Sequence, residues 1–373
     1  MNLSNIQIRE AEYRDASRWD NYVALHKKGL AYHFFAWKKA LESSYDFNCP
    51  YFLAEQESRV CGILPTVHVH PPLRKGQLVS LPYCDVGGIL ADSPEIAKIL
   101  LNYACQYAFK LKIPSIEIRH QSNISKQKSS DSFYKKDSIS QTDISKSSVP
   151  GKVRMLLKLP DNSKALMASF KSKLRSQVRK PGRDGLIFNL GGIELLNYFY
   201  SVFAENMQAL GSPVHSKKWL SSILKYYGEK AKCGVVFMPD KTPTAAGIIL
   251  CHDRTVSIPW ASSLQRFNRF NPNMLLYWSF LKFATDNRYR FFDFGRSTPG
   301  EGTYKFKAQW GAKPQPLQWE RWQIGKKSFH SNNSGSISNS NGRSRVIAEK
   351  IIQKIPLPFA TFLGSRLRKY ISL

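Results

Sequence analysis

Apolar positions recur with a helical period over residues 16–26, 33–44, 163–179, 193–208 and 217–227. That spacing collects them on one face and predicts amphipathic helices. Over 60–69 and 233–251 the apolar residues run almost unbroken, which suits antiparallel strands. Two stretches interrupt the pattern. Residues 121–150 are rich in Ser and Lys, and 326–345 in Ser, Asn and Gly. Both read as disordered linkers, because such composition buries too little surface to offset the ordering of the chain. They divide the sequence into an N-terminal domain (1–120), a C-terminal domain (151–325) and a basic amphipathic tail (346–373).

The two halves resemble each other. Cys61-Gly62-Ile63-Leu64 in the first matches Ala246-Gly247-Ile248-Ile249-Leu250 in the second, and Leu81-Pro82-Tyr83 matches Ile258-Pro259-Trp260. An apolar helix follows in each, over 99–109 and 273–284, then a short strand, Ile116-Glu117-Ile118-Arg119 or Phe292-Asp293-Phe294-Gly295-Arg296. Pro82 precedes Arg119 by 37 residues, and Pro259 precedes Arg296 by the same 37. Order, residue type and spacing together predict a duplication, with Arg119 and Arg296 in equivalent places. Each half is expected to be mixed α/β, a central sheet flanked by helices.

A length of 373 residues also suggests two domains, and 42% hydrophobic with 13% aromatic content is enough to build their cores. The formal charge of +28 points to a polyanionic partner: nucleic acid, an anionic membrane or a phosphate-bearing substrate. The six cysteines have no CxxC spacing, and no His sits at ligand spacing from a Cys pair, so buried thiols in a reducing cytoplasm are expected and a metal site is not. The first residues lack the basic and apolar regions of a secretory signal, and no run of about 18 apolar residues predicts a membrane span. The expected location is cytoplasmic, peripheral at the inner face of the membrane.

The second half carries a series of unusual phrases. They include Phe170-Lys171-Ser172-Lys173-Leu174-Arg175, Pro259-Trp260-Ala261-Ser262-Ser263, Phe292-Asp293-Phe294-Gly295-Arg296-Ser297 and Gly302-Thr303-Tyr304-Lys305-Phe306-Lys307-Ala308-Gln309-Trp310-Gly311. In this order they resemble the FemAB-related acyltransferases with a CelD-like acetyltransferase domain, and most of all the subgroup associated with exosortase (PEP-CTERM) and exopolysaccharide systems. The resemblance implies tandem GNAT-like (acyl-CoA N-acyltransferase) domains and acyl transfer. Fem enzymes move an amino acid from aminoacyl-tRNA onto a peptidoglycan precursor, and wider relatives act on polysaccharide. The Arg/Gln-x-x-Gly-x-Gly/Ala loop of ordinary GNAT enzymes is absent. The donor therefore stays open between acetyl-CoA or another acyl-CoA and aminoacyl-tRNA.

Acyl transfer needs a positioned carbonyl, a base for the acceptor and a stabilised oxyanion. Lys307, in the phrase that resembles the Fem motif, is the candidate cation for that oxyanion. Lys305 should point away from it on the same helix. Asp293 and Arg296 flank Gly295 at a strand end, where Asp293 is a candidate base and Arg296 a phosphate or carboxylate grip. An Asp–Arg structural pair is the competing reading. Tyr304 is a fourth catalytic candidate. Lys171, Arg175 and Arg179 recur every four residues on one helical face and form a candidate anion site, against a merely solvated face. Trp260, Tyr277, Gly295, His33 and Tyr83 complete the candidate substrate-binding set, although Tyr277 on an apolar helix is more often core. The tail alternates apolar and basic residues, which suits either an amphipathic anchor on an anionic membrane or packing onto the C-terminal domain.

The expected function is transfer of an acetyl or aminoacyl group to a cell-envelope glycan, an exopolysaccharide or a peptidoglycan precursor. The expected partner is a glycan or lipid-linked precursor, with tRNA a further candidate. The alternative is a non-catalytic protein that binds nucleic acid or membrane on the same scaffold.

Overall fold

Ser93 accepts a bond from the Ile96 amide, and Pro94 opens the helix that follows. This capped start launches the longest helix of the first half, Pro94–Lys110, whose inner face buries Ile96, Leu100, Leu101, Ala104, Cys105 and Ala108. The computed structural model describes residues 5–72, 75–121, 144–149, 151–325 and 339–372, with backbone alone for 121, 144–149, 339–345 and 347. The first half runs β1 (Ile6–Glu10), α1 (Ala16–Leu25), α2 (Phe35–Tyr45), β2 (Phe52–Gln56), β3 (Arg59–Leu64), β4 (Val67–Val69), β5 (Gln77–Val79), β6 (Leu90–Ala91), α3 (Pro94–Lys110) and β7 (Ser115–Gln121). After β8 (Ile144–Val149) the second half runs β9 (Val153–Lys158), α4 (Ser163–Ser169), α5 (Ser172–Arg183), β10 (Ile187–Gly191), α6 (Leu196–Ala209), α7 (Lys217–Tyr227), β11 (Ala231–Phe237), β12 (Pro243–His252), β13 (Thr255–Ser263), α8 (Pro272–Asp286), β14 (Phe291–Ser297), α9 (Gly302–Ala308) and β15 (Lys313–Ile324). Two helices follow, α10 (Asn339–Lys354) and α11 (Leu357–Leu367).

Each half contains the same crossover. β5 leads through α3 to the parallel β7, and β13 leads through α8 to the parallel β14. Right-handed crossovers of this kind need a covering helix, and the apolar faces of α3 and α8 supply it. The duplication is therefore visible in topology, but the two halves do not keep separate sheets. β1, β2, β3 and β6 form one small sheet, and the other strands make an 11-stranded sheet through both halves, in the order β10-β11-β12-β13-β14-β9-β15-β7-β5-β4 with β8 beside β15. β15 joins them: Lys313–Pro316 pair with β9, and Leu317–Gln323 pair with β7. The largest apolar cluster also crosses, with Trp19 and Trp37 from the first half packed in one core with Trp219 and Trp260 from the second.

Three expectations change here. Residues 163–179 form two helices, because Phe170 is extended and buried at the junction. Its ring anchors against Trp278 and Trp310. The presumed linkers lie mostly outside the described residues, but 144–149 pairs along β15 and 339–345 begins α10. A polar composition does not stop a backbone from satisfying an open strand edge. Finally, Arg119 and Arg296 are not register equivalents. Leu78 pairs with Ile116 and Val79 with Glu117, whereas Val256 pairs with Phe292 and Ser257 with Asp293. With Pro82 laid on Pro259, Val79 falls on Val256, but their partners Glu117 and Phe292 are two places out of step with the shared spacing, so that spacing did not align the arginines.

Candidate active site at the junction of the halves

β14 changes register against β9 between Asp293 and Arg296. Gly295 sits in that break with φ +71°, a conformation that favours glycine. Its amide donates to Asp293 Oδ1 at 2.9 Å. A Cβ at Gly295 would lie in ordinary contact with the Asp85 carboxylate, at 3.6 Å, so the positive φ is what calls for glycine. The break turns the Arg296 backbone both ways. Its N–H donates to Asp85 Oδ2 at 3.0 Å, and its carbonyl accepts from Lys307 Nζ at 2.7 Å.

Asp85 comes from the loop between β5 and β6 in the first half. Its backbone carbonyl accepts from the Trp319 indole at 2.9 Å, and its carboxylate faces the Arg296 Nε at 3.4 Å. The guanidinium of Arg296 lies 5.4 Å from the Trp319 ring, and that of Arg119 lies 5.0 Å from the same ring. Trp319 belongs to β15, so the shared strand brings the two arginines to one point.

Lys307 is buried on α9, while Lys305 two residues earlier is exposed. Burial pulls the Lys307 amine down to about 8; the charges of Asp293 and Asp85 resist the drop and Arg296 adds to it. Tyr32 is also buried beside this group. Burial first, then the charges of Asp293 and Asp85, hold its phenol well above the ordinary range. Residues 368–372 close the site. Ser372 O accepts from Tyr83 N at 2.8 Å and from Arg119 Nη1 at 3.1 Å. Arg368 stacks 5.5 Å from the Tyr83 ring, and its pKa is lowered chiefly by burial, with Arg296 and Arg119 among the neighbouring charges. Arg119 is buried in a pair with Glu117, so the arrangement leaves the partly exposed Arg296 to hold an anion and offers Asp85, also partly exposed, as a proton acceptor.

The sequence candidates are distributed unevenly. Lys307, Arg296 and Gly295 meet at this point, and Tyr304 lies one turn before Lys307, packed on the C-terminal core. Asp293 is committed elsewhere: its second oxygen is 2.8 Å from Arg154 Nε, with both side chains buried. The structural Asp–Arg pair exists, but with Arg154 in place of Arg296. His33 is buried with Nε2 3.2 Å from the Gly88 carbonyl, and burial pushes its pKa down to about 3. It is a neutral structural imidazole at physiological pH. Trp260 stacks on Trp37 at 6.1 Å and 7°, and Tyr277 stacks on Phe294 at 5.7 Å; both are core side chains. Tyr83, with φ +68°, hands its hydroxyl to the Lys369 carbonyl at 2.6 Å.

The basic face lies apart, over a cavity of about 570 Å³ lined by Arg175, Arg179, Lys164, Met167 and Trp278. Arg175 also donates to the Phe170 carbonyl at 2.8 Å, which fixes its direction. Lys171 is exposed at the start of α5. Charge reversal of Lys171, Arg175 and Arg179 is expected to abolish pyrophosphate binding measured by calorimetry, and wild-type binding should weaken as salt rises. Binding unchanged by the reversal would leave this face merely solvated.

Sequence reasoning missed Asp85, Arg154, Tyr32, Trp319 and Arg368. Only Asp85 left a signal: it follows Leu81-Pro82-Tyr83 and precedes Gly87-Gly88, much as Asp293 precedes Gly295. The others reach the site through long-range pairing.

Residues 168–308, which hold α5 to α9, match the family described as an acetyltransferase (GNAT) domain. The solved structure of FemX superposes with a TM-score of 0.66 at 14% identity, covering 84% of this chain and 96% of that one. The fold is the FemAB-like tandem GNAT fold. A tandem GNAT protein from the clavulanic acid biosynthesis pathway superposes with a TM-score of 0.51 at 10% identity, covering 87% of this chain and 100% of that one. The C-terminal domain of a putative lysylphosphatidylglycerol synthetase from Agrobacterium fabrum gives 0.54 at 10% identity, over 91% and 96% of the two chains. No curated protein matches the chain in sequence.

Proposed function

We propose that the chain is an acyltransferase that moves an acyl or aminoacyl group onto an amine or hydroxyl of a cell-envelope glycan precursor. The observation that carries this reading is the meeting of Asp85 and Lys307 at the Gly295 break, one from each half of the molecule. The acceptor heteroatom attacks the donor carbonyl carbon and gives its proton to Asp85. Negative charge collects on the former carbonyl oxygen, where the Lys307 ammonium opposes it in a buried setting. The leaving oxygen or sulfur then takes the proton as the intermediate collapses. Arg296, partly exposed, favours an acceptor that carries phosphate or carboxylate. The donor, acyl-CoA or aminoacyl-tRNA, brings phosphates of its own, and the cavity at Arg175 and Arg179 suits them.

The fold shared with FemX and with the lysylphosphatidylglycerol synthetase domain supports a cell-envelope acceptor, as does the exosortase-associated resemblance. The test supplies radiolabelled acetyl-CoA or aminoacyl-tRNA together with nucleotide-linked and lipid-linked sugar precursors. Label should move to the sugar fraction, and Asp85→Asn should slow the transfer by about 100-fold, the scale of a lost general base. Retention of these ligands without any transfer would favour the non-catalytic binding protein.

A further inference from the structure

Helix α11 is held in place yet turns an apolar face outward. Its inner side buries Ala360 and Gly364, and Gly364 allows the helix to approach closely, since a Cβ there would fall 2.8 Å from the Val214 amide. The preceding α10 is tied to α6 through Gln353, which donates to the Ala209 carbonyl at 3.1 Å. Beyond α11 the chain is pinned by Tyr83 and Arg119. This segment is therefore docked at both ends.

The outward side of α11 carries Phe359 (69% exposed), Phe362 (57%), Leu363 (42%) and Leu367 (44%). On a helical wheel Phe359, Phe362 and Leu363 fall together beside the buried Ala360 and Gly364, with Leu367 at the boundary. Val346, Ile351 and Ile371 are exposed too, so seven of the seventeen exposed large apolar side chains among the described residues lie in this segment. Cations surround it. Residues 346–372 hold Lys350, Lys354, Arg366, Arg368 and Lys369 against the single acid Glu349. Arg366 lies 4.2 Å from the Phe362 ring, its charge at the edge of the apolar face. No helix among the described residues is long and apolar enough to cross a membrane.

We propose that this face docks onto the surface of an anionic lipid bilayer, with Phe359, Phe362, Leu363 and Leu367 in the interfacial layer and the basic side chains on lipid phosphates. Charge selects this occupant. A second copy would bring Lys350, Lys354, Arg366 and Lys369 against the same four cations, and a polyanion without an apolar phase would leave the aromatic side chains in water. The same segment presents Arg368 and Ser372 to the candidate active site. A membrane that holds α11 thus lies next to the place where the acceptor binds. On the reading proposed above, the acceptor is one borne by a membrane lipid.

The test is co-sedimentation of the full chain with vesicles of phosphatidylglycerol and phosphatidylcholine, compared with pure phosphatidylcholine. The wild-type chain should bind the anionic vesicles and only weakly the neutral ones. Phe359→Asp with Phe362→Asp should reduce binding by about 100-fold, from two lost aromatic insertions. The melting temperature should stay unchanged, because both side chains are exposed in the folded chain. Wild-type protein that stays in the supernatant would overturn the proposal. So would a double variant that binds as before, or a wild-type dimer that the double variant dissolves. Vesicle binding does not depend on acyl transfer, so a chain that docks and transfers nothing would refute only the enzymatic reading.

Discussion

Lys307→Ala should lose about 100-fold or more in turnover while melting at nearly the wild-type temperature. The first half of that expectation follows from charge in a buried place. Nζ is fixed by the Arg296 carbonyl at 2.7 Å, so no reorganisation is needed when the oxyanion forms, and one such donor is typically worth this factor. The second half follows from helix chemistry, since Ala suits the α9 interior and removes a group whose burial is itself costly. The amine has a pKa near 8, lowered chiefly by burial, so the ammonium is present below that pH and lost above it. Turnover should fall as pH rises through about 8. Lys307→Arg should retain part of the activity and move that falling limb upward, because a guanidinium stays charged. Normal turnover by Lys307→Ala would shift the chemistry to Asp85 and Arg296 alone.

Arg154→Ala should be the most destabilising single change near the site. It leaves the Asp293 carboxylate buried without its cation, and breaking a buried pair in this way costs about 3–5 kcal/mol. Asp293 would keep only the Gly295 amide and the Ser257 hydroxyl, the latter 3.5 Å away. Urea unfolding should show the loss as a lower midpoint at similar slope. The double variant Arg154→Met with Asp293→Leu should recover most of it, because the charge that needed a partner is gone. If Arg154→Ala unfolds like the wild type, Asp293 is not held by this pair and returns as a candidate base.

The repeated crossover and most of the helices were legible because each depends on local periodicity. The apolar faces of α3 and α8 announce themselves within a single stretch of sequence. Lys307 was legible as part of a phrase, and its contrast with Lys305 followed from helical geometry. Asp85 and Trp319 were not singled out, because their meaning arises from strand pairing between residues more than 200 positions apart. Arg154 illustrates the same limit from the other side. Asp293 was read against the nearest arginine in sequence, and the sheet supplied a different one from β9. Equal spacing between Pro and Arg in the two halves was a coincidence of length, since the parallel registers differ. His33 was read as a binding residue from its neighbours, while its complete burial decides its protonation.

The sharing of β15 bears on how such proteins can be recombined. Its first residues complete the sheet of the half that precedes it in sequence, and the rest complete the sheet of the half before that. Neither half is a cassette. A graft that replaced 151–325 with the corresponding stretch of a relative would set a foreign strand against β7 of this chain and a new indole, or none, against Asp85. Recombination of such proteins is constrained to exchange β15 together with β7 and the Asp85 loop.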